Sequence, residues 1–160
     1  MKIKPGDIMP DGIFSAMKNG HPTSLTAKQL FKNKKVVLFA VPGAFTPGCS
    51  NKHLPSYLEN AKEIFSKGID TIACLSVNDI FVMNAWAKDK VTGNDILMLA
   101  DGNCDYTKSI GLEMDSSEFG MGIRSQRYAL IIENTIVKEL LLDKPGDINL
   151  SMAQSVLAKL

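Results

Sequence analysis

Residues 41 to 55 read VPGAFTPGCSNKHLP, and one side chain in that stretch, the thiol of Cys49, is suited to covalent chemistry. An apolar run from Lys35 to Val41 precedes it. After it, Leu54, Tyr57, Leu58, Ala61, Ile64 and Phe65 recur at helical spacing. Cys49 therefore falls in the first turn of a helix just past the end of a strand, where open α/β sheets hold their ligand sites. A thiol there faces backbone N–H groups that lack intrahelical partners and the positive end of the helix dipole, and both favour the thiolate. The chemistry implied is nucleophilic attack by sulfur. A lone cysteine is more often a small buried apolar residue, so the reading depends on its neighbours.

The elements that must position Cys49 can be read from periodicity. Lys35 to Val41 and Thr71 to Val77 are nearly continuous apolar runs, the pattern of strands covered on both faces. With the helix between them, stopped by Gly68, they form a βαβ unit with a parallel pair. A second helix is predicted from Asn78 as cap through Phe81, Val82, Ala85 and Trp86, followed by a strand from Ile96 to Ala100. Arg127 to Ile132 and Ile136 to Leu142 flank Glu133-Asn134-Thr135 as a hairpin. A last helix is expected over about Asp147 to Leu160. Gly12 to Met17 reads as a weaker strand, and Thr26 with Gln29 as a capping box for a short helix ending near Phe31. Together these elements predict an α/β, thioredoxin-like fold over a single domain, 1–160, with a central mixed β-sheet flanked by helices on both faces.

Composition narrows the function. The 160 residues carry 18 Lys and Arg against 17 Asp and Glu, and 45% of positions are hydrophobic. One folded domain is expected, and disorder or a disulfide scaffold is not. The balanced charge gives no basic surface for nucleic acid. Three widely spaced cysteines without a C-x-x-C pair, and only two histidines, argue against a metal site. No run approaches a membrane span or a signal peptide. The expectation is a cytoplasmic protein with reduced thiols, or an organellar one if a presequence was removed.

Pro42, Thr46 and Cys49 spell P-x-x-x-T-x-x-C, which resembles the active-site signature of the peroxiredoxins. The string VPGAFTPGCS followed by KHLP is similar to the type II, or peroxiredoxin-five, subfamily. Matching segments recur along nearly the whole chain: Cys74 to Asp79 with Phe81-Val82 and Trp86, Leu99 to Gly102, and Arg124 to Ala129. The resemblance implies a thiol peroxidase without cofactor, in which Cys49 attacks hydrogen peroxide or an alkyl hydroperoxide and becomes a sulfenic acid. Its catalytic partners would be Thr46, Arg127 (the Arg of Arg127-Tyr128-Ala129) and Pro42, which shields the thiolate. Gly48 and Phe45 would contact substrate, and the N–H groups of Cys49 and Gly48 would face the substrate oxygen.

Magnitudes show why an acidic thiol is insufficient. A cysteine of pKa about 8.5 is roughly 3% ionised at pH 7, so full ionisation gains about 30-fold, near 2 kcal/mol. Enzymes typically supply about 8 kcal/mol or more. Hydrogen bonds made in the transition state must provide the remainder.

Other positions are weighed in the same way. His53 lies one helical turn from Cys49 and, with the thiol ionised, is expected to support neighbours rather than act as base. Arg124 is either a surface residue or one that orients a loop near the site. Pro55 should kink the helix. Cys74 reads as a core thiol, with a resolving role as the alternative, and Cys104, near a helix start, as a bystander, with an exposed and moderately acidic thiol as the alternative. Animal members of the family carry a resolving cysteine near the start of the last helix, where this chain has Asn149-Leu150-Ser151-Met152. An external thiol reductant, glutathione with glutaredoxin or thioredoxin, is then implied. Phe45, Phe81 and Trp86 read either as core residues or, by the resemblance, as part of the family's homodimer face. The alternative function is a peroxide sensor or redox relay that uses the same cysteine.

Overall fold

Strands with both faces covered must alternate their side chains between two cores, and the computed structural model, which describes residues 2–160, shows this directly. In chain order the elements are β1 (Ile13–Lys18), β2 (His21–Thr26), α1 (Ala27–Phe31), β3 (Lys35–Val41), a π-helical turn (Cys49–His53), α2 (Leu54–Ser66), β4 (Thr71–Ser76), α3 (Ile80–Lys90), β5 (Leu97–Ala100), α4 (Asp105–Ser109), β6 (Glu113–Asp115), β7 (Ile123–Ser125), β8 (Tyr128–Glu133), β9 (Ile136–Leu142) and α5 (Ala153–Leu157). Seven strands form one sheet in the order β2-β1-β5-β4-β3-β8-β9, and β6 with β7 makes a separate ribbon. β4 runs parallel to β3 and β5, whereas β1 and β8 pair antiparallel, so the sheet is mixed as expected.

Val37, Phe39, Val41, Ile72 and Cys74 point to one face, beneath α2, α3 and α5. Val36, Leu38, Ala40, Ala73 and Leu75 point to the other, beneath α1 and α4. The predicted capping box closes α1: the Gln29 N–H donates to Thr26 Oγ1 at 3.1 Å, and the Thr26 N–H donates to Gln29 Oε1 at 2.9 Å. The β8–β9 hairpin turns at Asn134 and Thr135, both left-handed (φ 45° and 69°) as its two-residue turn requires.

Three expectations are corrected, and one strand is added. Asn78 does not cap α3; Asp79 does, accepting from the Val82 N–H, while Asn78 accepts from Ala44 N–H and from the Ser76 hydroxyl. The last helix is only Ala153–Leu157, because the side chain of Asp143 takes the backbone N–H groups of Asn149, Leu150 and Ser151 and holds them out of a helix. Trp86 is not on a surface. It is fully buried, and its Nε1–H donates to Ser50 Oγ at 2.9 Å, which pins the π-helical turn to α3. β2 had no counterpart in the sequence reading, since a polar, exposed edge strand carries no burial pattern; it pairs with β1 across the Asn19-Gly20 turn. No helix among the described residues is long and apolar enough to cross a membrane.

Candidate active site

β3 ends at Val41, and a short loop carries the chain to the helical run that contains Cys49. Phe45 sits in that loop with φ 65°, a left-handed conformation costly for an aromatic residue. The helical run opens at Pro47, whose fixed φ and missing N–H suit the first position. Among the described residues, no backbone carbonyl accepts from the N–H of Gly48 or of Cys49. The first helical bond is Ser50 N–H to Thr46 O, 2.9 Å. Pro55 brings not a simple kink but a local widening: without an N–H, and with its ring crowding the carbonyl four residues back, it is preceded by the π-helical turn, in which Leu54 N–H reaches Cys49 O.

That turn presents Cys49 and His53 together to Arg127, which comes from the residue before β8. An Arg127 Nη2–H donates to Cys49 Sγ at 3.1 Å, and Nη1 lies 2.7 Å from His53 Nδ1. The His53 Nε2 is 3.0 Å from the Ser151 carbonyl, which can only accept, so Nε2 carries the proton and Nδ1 accepts from Arg127. His53 is fully buried; burial first, and then the Arg127 guanidinium, lower its pKa to about 4 and keep it neutral near pH 7. It braces the guanidinium and does not itself reach the sulfur.

Pro42, Thr46, Gly48 and Arg127 form the inner wall of a cleft of about 300 Å³, closed on its other sides by Met114, Gln126 and residues 143–148. Cys49 is buried behind this wall, with none of its surface exposed. Thr46 donates its hydroxyl proton to Gly43 O at 2.8 Å rather than to the Cys49 sulfur, and its oxygen lone pairs remain available. Gly48 leaves room where a Cβ would meet Ile148 Cδ1 at 2.5 Å and Arg127 Nη2 at 3.5 Å. Phe45 does not line the cleft; it is 51% exposed on the outer side of the loop.

Arg124 takes the loop-orienting role, donating to the carbonyls of Met121 and Val77 at 2.8 and 2.9 Å without reaching Cys49. Cys74 lies mid-strand in the same apolar cluster as Cys49, and burial, then the neighbouring Cys49, push its thiol well up. Cys104 is buried, and burial followed by the Asp101 carboxylate raises its pKa, so the alternative of an exposed, acidic thiol falls away and the bystander reading stands. Asp143 was not singled out in the sequence, and Ser151 and Tyr57 were named there without a part in the site. The only cue was a carboxylate closing an apolar strand ahead of Pro145-Gly146, too weak to single out Asp143.

The family model described as Redoxin matches residues 4–157. The chain is 46% identical over 163 residues to the chloroplastic Peroxiredoxin-2E-2 of Oryza sativa subsp. japonica, covering 99% of this chain and 72% of that one. It is 42% identical over 159 residues to Peroxiredoxin-2B of Arabidopsis thaliana, covering 99% and 98%. Among solved structures, reduced Prx3 of Vibrio vulnificus in complex with H2O2 superposes with a TM-score of 0.94 at 46% identity, over 98% of each chain.

Proposed function

The chain belongs to the Redoxin family and is a peroxiredoxin of type II, a thiol-dependent peroxidase, and from that premise we propose that Cys49 is its peroxidatic cysteine. The observation that carries this reading is the Arg127 guanidinium bonded at once to the Cys49 sulfur and to a neutral His53, behind a cleft wide enough for a hydroperoxide.

The Cys49 thiolate attacks the nearer oxygen of ROOH. The S–O bond forms as the O–O bond breaks, sulfur is oxidised to the sulfenic acid, and RO⁻ leaves to take up a proton as ROH. Negative charge moves from sulfur to the leaving oxygen during this step. Arg127 cannot deprotonate and offers N–H donors along that path, and the unpartnered N–H groups of Gly48 and Cys49 lie at the helix start beside it. Thr46, its proton committed to Gly43 O, accepts from the hydroperoxide O–H and so selects the protonated peroxide. Pro42 shields the sulfur. Met114, Pro145 and Ile148 supply apolar wall for an alkyl group, which suits organic hydroperoxides beside hydrogen peroxide.

The sulfenic acid is returned to thiol by an external thiol, glutathione with glutaredoxin or thioredoxin: one thiol forms a mixed disulfide and releases water, and a second displaces Cys49. Asn149-Leu150-Ser151-Met152 stands where the resolving cysteine of the animal members is expected, and Cys74 resolves only after the π-helical turn opens locally. The homodimer face is formed by Phe45, Phe81 and Phe119, 51%, 67% and 74% exposed, around the junction where Ala44 meets Asn78. Three free cysteines suit a reducing compartment, the cytoplasm or an organelle interior.

One equivalent of tert-butyl hydroperoxide added to the reduced protein, followed by rapid quenching and peptide mass spectrometry, tests the assignment. The expected product is sulfenic acid on Cys49 alone, absent in Cys49→Ser. A Cys49–Cys74 disulfide makes Cys74 the resolver. Oxidation of Cys49 no faster than Cys104 overturns the reading, and a single oxidation without turnover on any thiol reductant favours a sensor.

A further inference from the structure

On the cleft wall beside Arg127 lies a largely buried carboxylate to which the peroxide chemistry above gives no part. Asp143 follows β9 and is 4% exposed, and among the described residues no cationic side chain lies within ion-pair distance of it. A charge removed from water must be held by other donors. Here Oδ1 accepts from the N–H groups of Asn149 (3.2 Å) and Leu150 (2.6 Å), and Oδ2 accepts from the N–H (3.3 Å) and the hydroxyl of Ser151. Three successive backbone donors converging on one carboxylate set the direction of the Ser151 peptide.

The Ser151 carbonyl faces the catalytic helix. It accepts from His53 Nε2–H and from the Tyr57 hydroxyl, and the Tyr57 ring is stacked on Phe39 at 3.8 Å between centroids. The His53 acceptor nitrogen is thereby turned toward Arg127. Were the carbonyl displaced, the other tautomer would become open to the ring, and its Nδ1–H would oppose the guanidinium N–H, donor against donor. Asp143 also touches Arg127 from the other side: its own N–H donates to the Arg127 carbonyl at 3.0 Å.

We propose that Asp143 is a positioning residue for the peroxide step, acting through the Ser151 carbonyl and His53 to hold the Arg127 guanidinium on Cys49. This rests on the role given to Arg127 above. The consequence is specific. Losing Asp143 should slow the reaction that needs an oriented guanidinium and spare one that needs only a thiolate.

The test compares two reactions of Cys49, reduction of tert-butyl hydroperoxide and alkylation by iodoacetamide, each on its high-pH plateau, in Asp143→Asn, Arg127→Met and the double variant. Hydrogen bonds to charged groups are worth about 1.5–3 kcal/mol, so Asp143→Asn should slow the peroxide reaction about 10-fold or more. Alkylation should stay within about 3-fold: as the S–C bond forms and the C–I bond breaks, the charge passes to iodide, a large and polarisable leaving group that needs no oriented donor. In the Arg127→Met background, Asp143→Asn should slow the peroxide reaction no further, the non-additivity expected of residues acting through one group. Equal slowing of both reactions, no slowing, or the same slowing with and without Arg127 overturns the proposal and leaves Asp143 a fold residue. Should Arg127→Met itself keep the peroxide rate, it is the role of Arg127 that fails. If Asp143→Asn does not fold, Ser151→Ala, which deletes one donor to the same carboxylate, carries the same comparison with a smaller slowing in the same direction.

Discussion

Cys49 and Cys74 are both fully buried and belong to one apolar cluster on one face of the sheet, yet their surroundings differ in kind. Cys74 is mid-strand, its backbone paired on both sides to Phe39 and Met98, and its thiol is pushed well up by burial and then by Cys49. Cys49 sits where regular structure breaks: past a strand end, beside N–H groups without carbonyl partners, in a π-helical turn that aims it at a guanidinium. Burial alone therefore makes a thiol inert. Reactivity requires donors that the fold has left unpaired and held in place.

The largest blow to this contrast is to remove the guanidinium. Loss of one preorganised donor to developing charge typically costs about 10²–10³ in rate, so Arg127→Met should slow the peroxide reaction by that order. Full ionisation of an ordinary thiol accounts for only about 30-fold at pH 7. Stopped-flow rates with peroxide and with iodoacetamide separate the two contributions. If both reactions fall alike, thiolate population explains everything and the two cysteines differ only in acidity.

The next largest effect is on stability. The buried, neutral His53 has a folded pKa of about 4 against an ordinary value of 6.5. Between those values the unfolded chain binds the extra proton and the folded one does not, so its contribution is fully present above pH 6.5 and is lost as pH falls toward 4. The integrated loss is about 3 kcal/mol, since each unit of pKa difference corresponds to roughly 1.4 kcal/mol. Urea unfolding from pH 7 to 4 should show this decline, and His53→Gln should be less stable at pH 7 but flatter across that window. An equally steep decline in His53→Gln would remove the histidine from the account.

How much of this could be read from the chain follows the same division between regular and irregular structure. β3 and β4 were legible because a strand covered on both faces is apolar at nearly every position, and α1 because Thr26 and Gln29 are spaced for reciprocal caps. Cys49, Thr46 and Arg127 were legible through their motif, and the fold brings Arg127 to Cys49 across 78 positions of sequence. The parts that escaped have no periodic signature. An edge strand such as β2 is defined by its partner, the π-helical turn by one inserted residue, and the Asp143 nest by three N–H groups whose side chains are irrelevant to it. Trp86 was misplaced for a related cause. The resemblance suggested a place on a homodimer face, and only the packing of α3 against the sheet puts it in the interior.

A smaller change sharpens the comparison on the reactive side. Thr46→Val keeps shape and removes the hydroxyl that donates to Gly43 O and leaves lone pairs for the peroxide proton. Losing one neutral hydrogen bond is worth about 1 kcal/mol, so a rate loss of about 10-fold is expected once orientation of the peroxide is included. Serine, which restores the hydroxyl, should recover most of the rate; if Thr46→Ser is as slow as Thr46→Val, the methyl group matters and the hydroxyl does not.

The smallest effect tests the inert partner. Cys74→Ala removes one sulfur from a packed strand, and the cavity it leaves should cost about 1–2 kcal/mol by denaturant unfolding. The peroxide rate of Cys49 should change by less than about 2-fold, because no donor that faces Cys49 comes from Cys74. The rate of recovery from the oxidised state, measured with glutathione and separately with thioredoxin, is the sharper reading. If recovery on thioredoxin collapses in Cys74→Ala while the peroxide step is intact, then the strand opens often enough for a buried thiol, its pKa raised by burial, to capture the sulfenic acid. The two cysteines would then differ in timing rather than in kind, with Cys49 reactive in the closed fold and Cys74 only in the opened one.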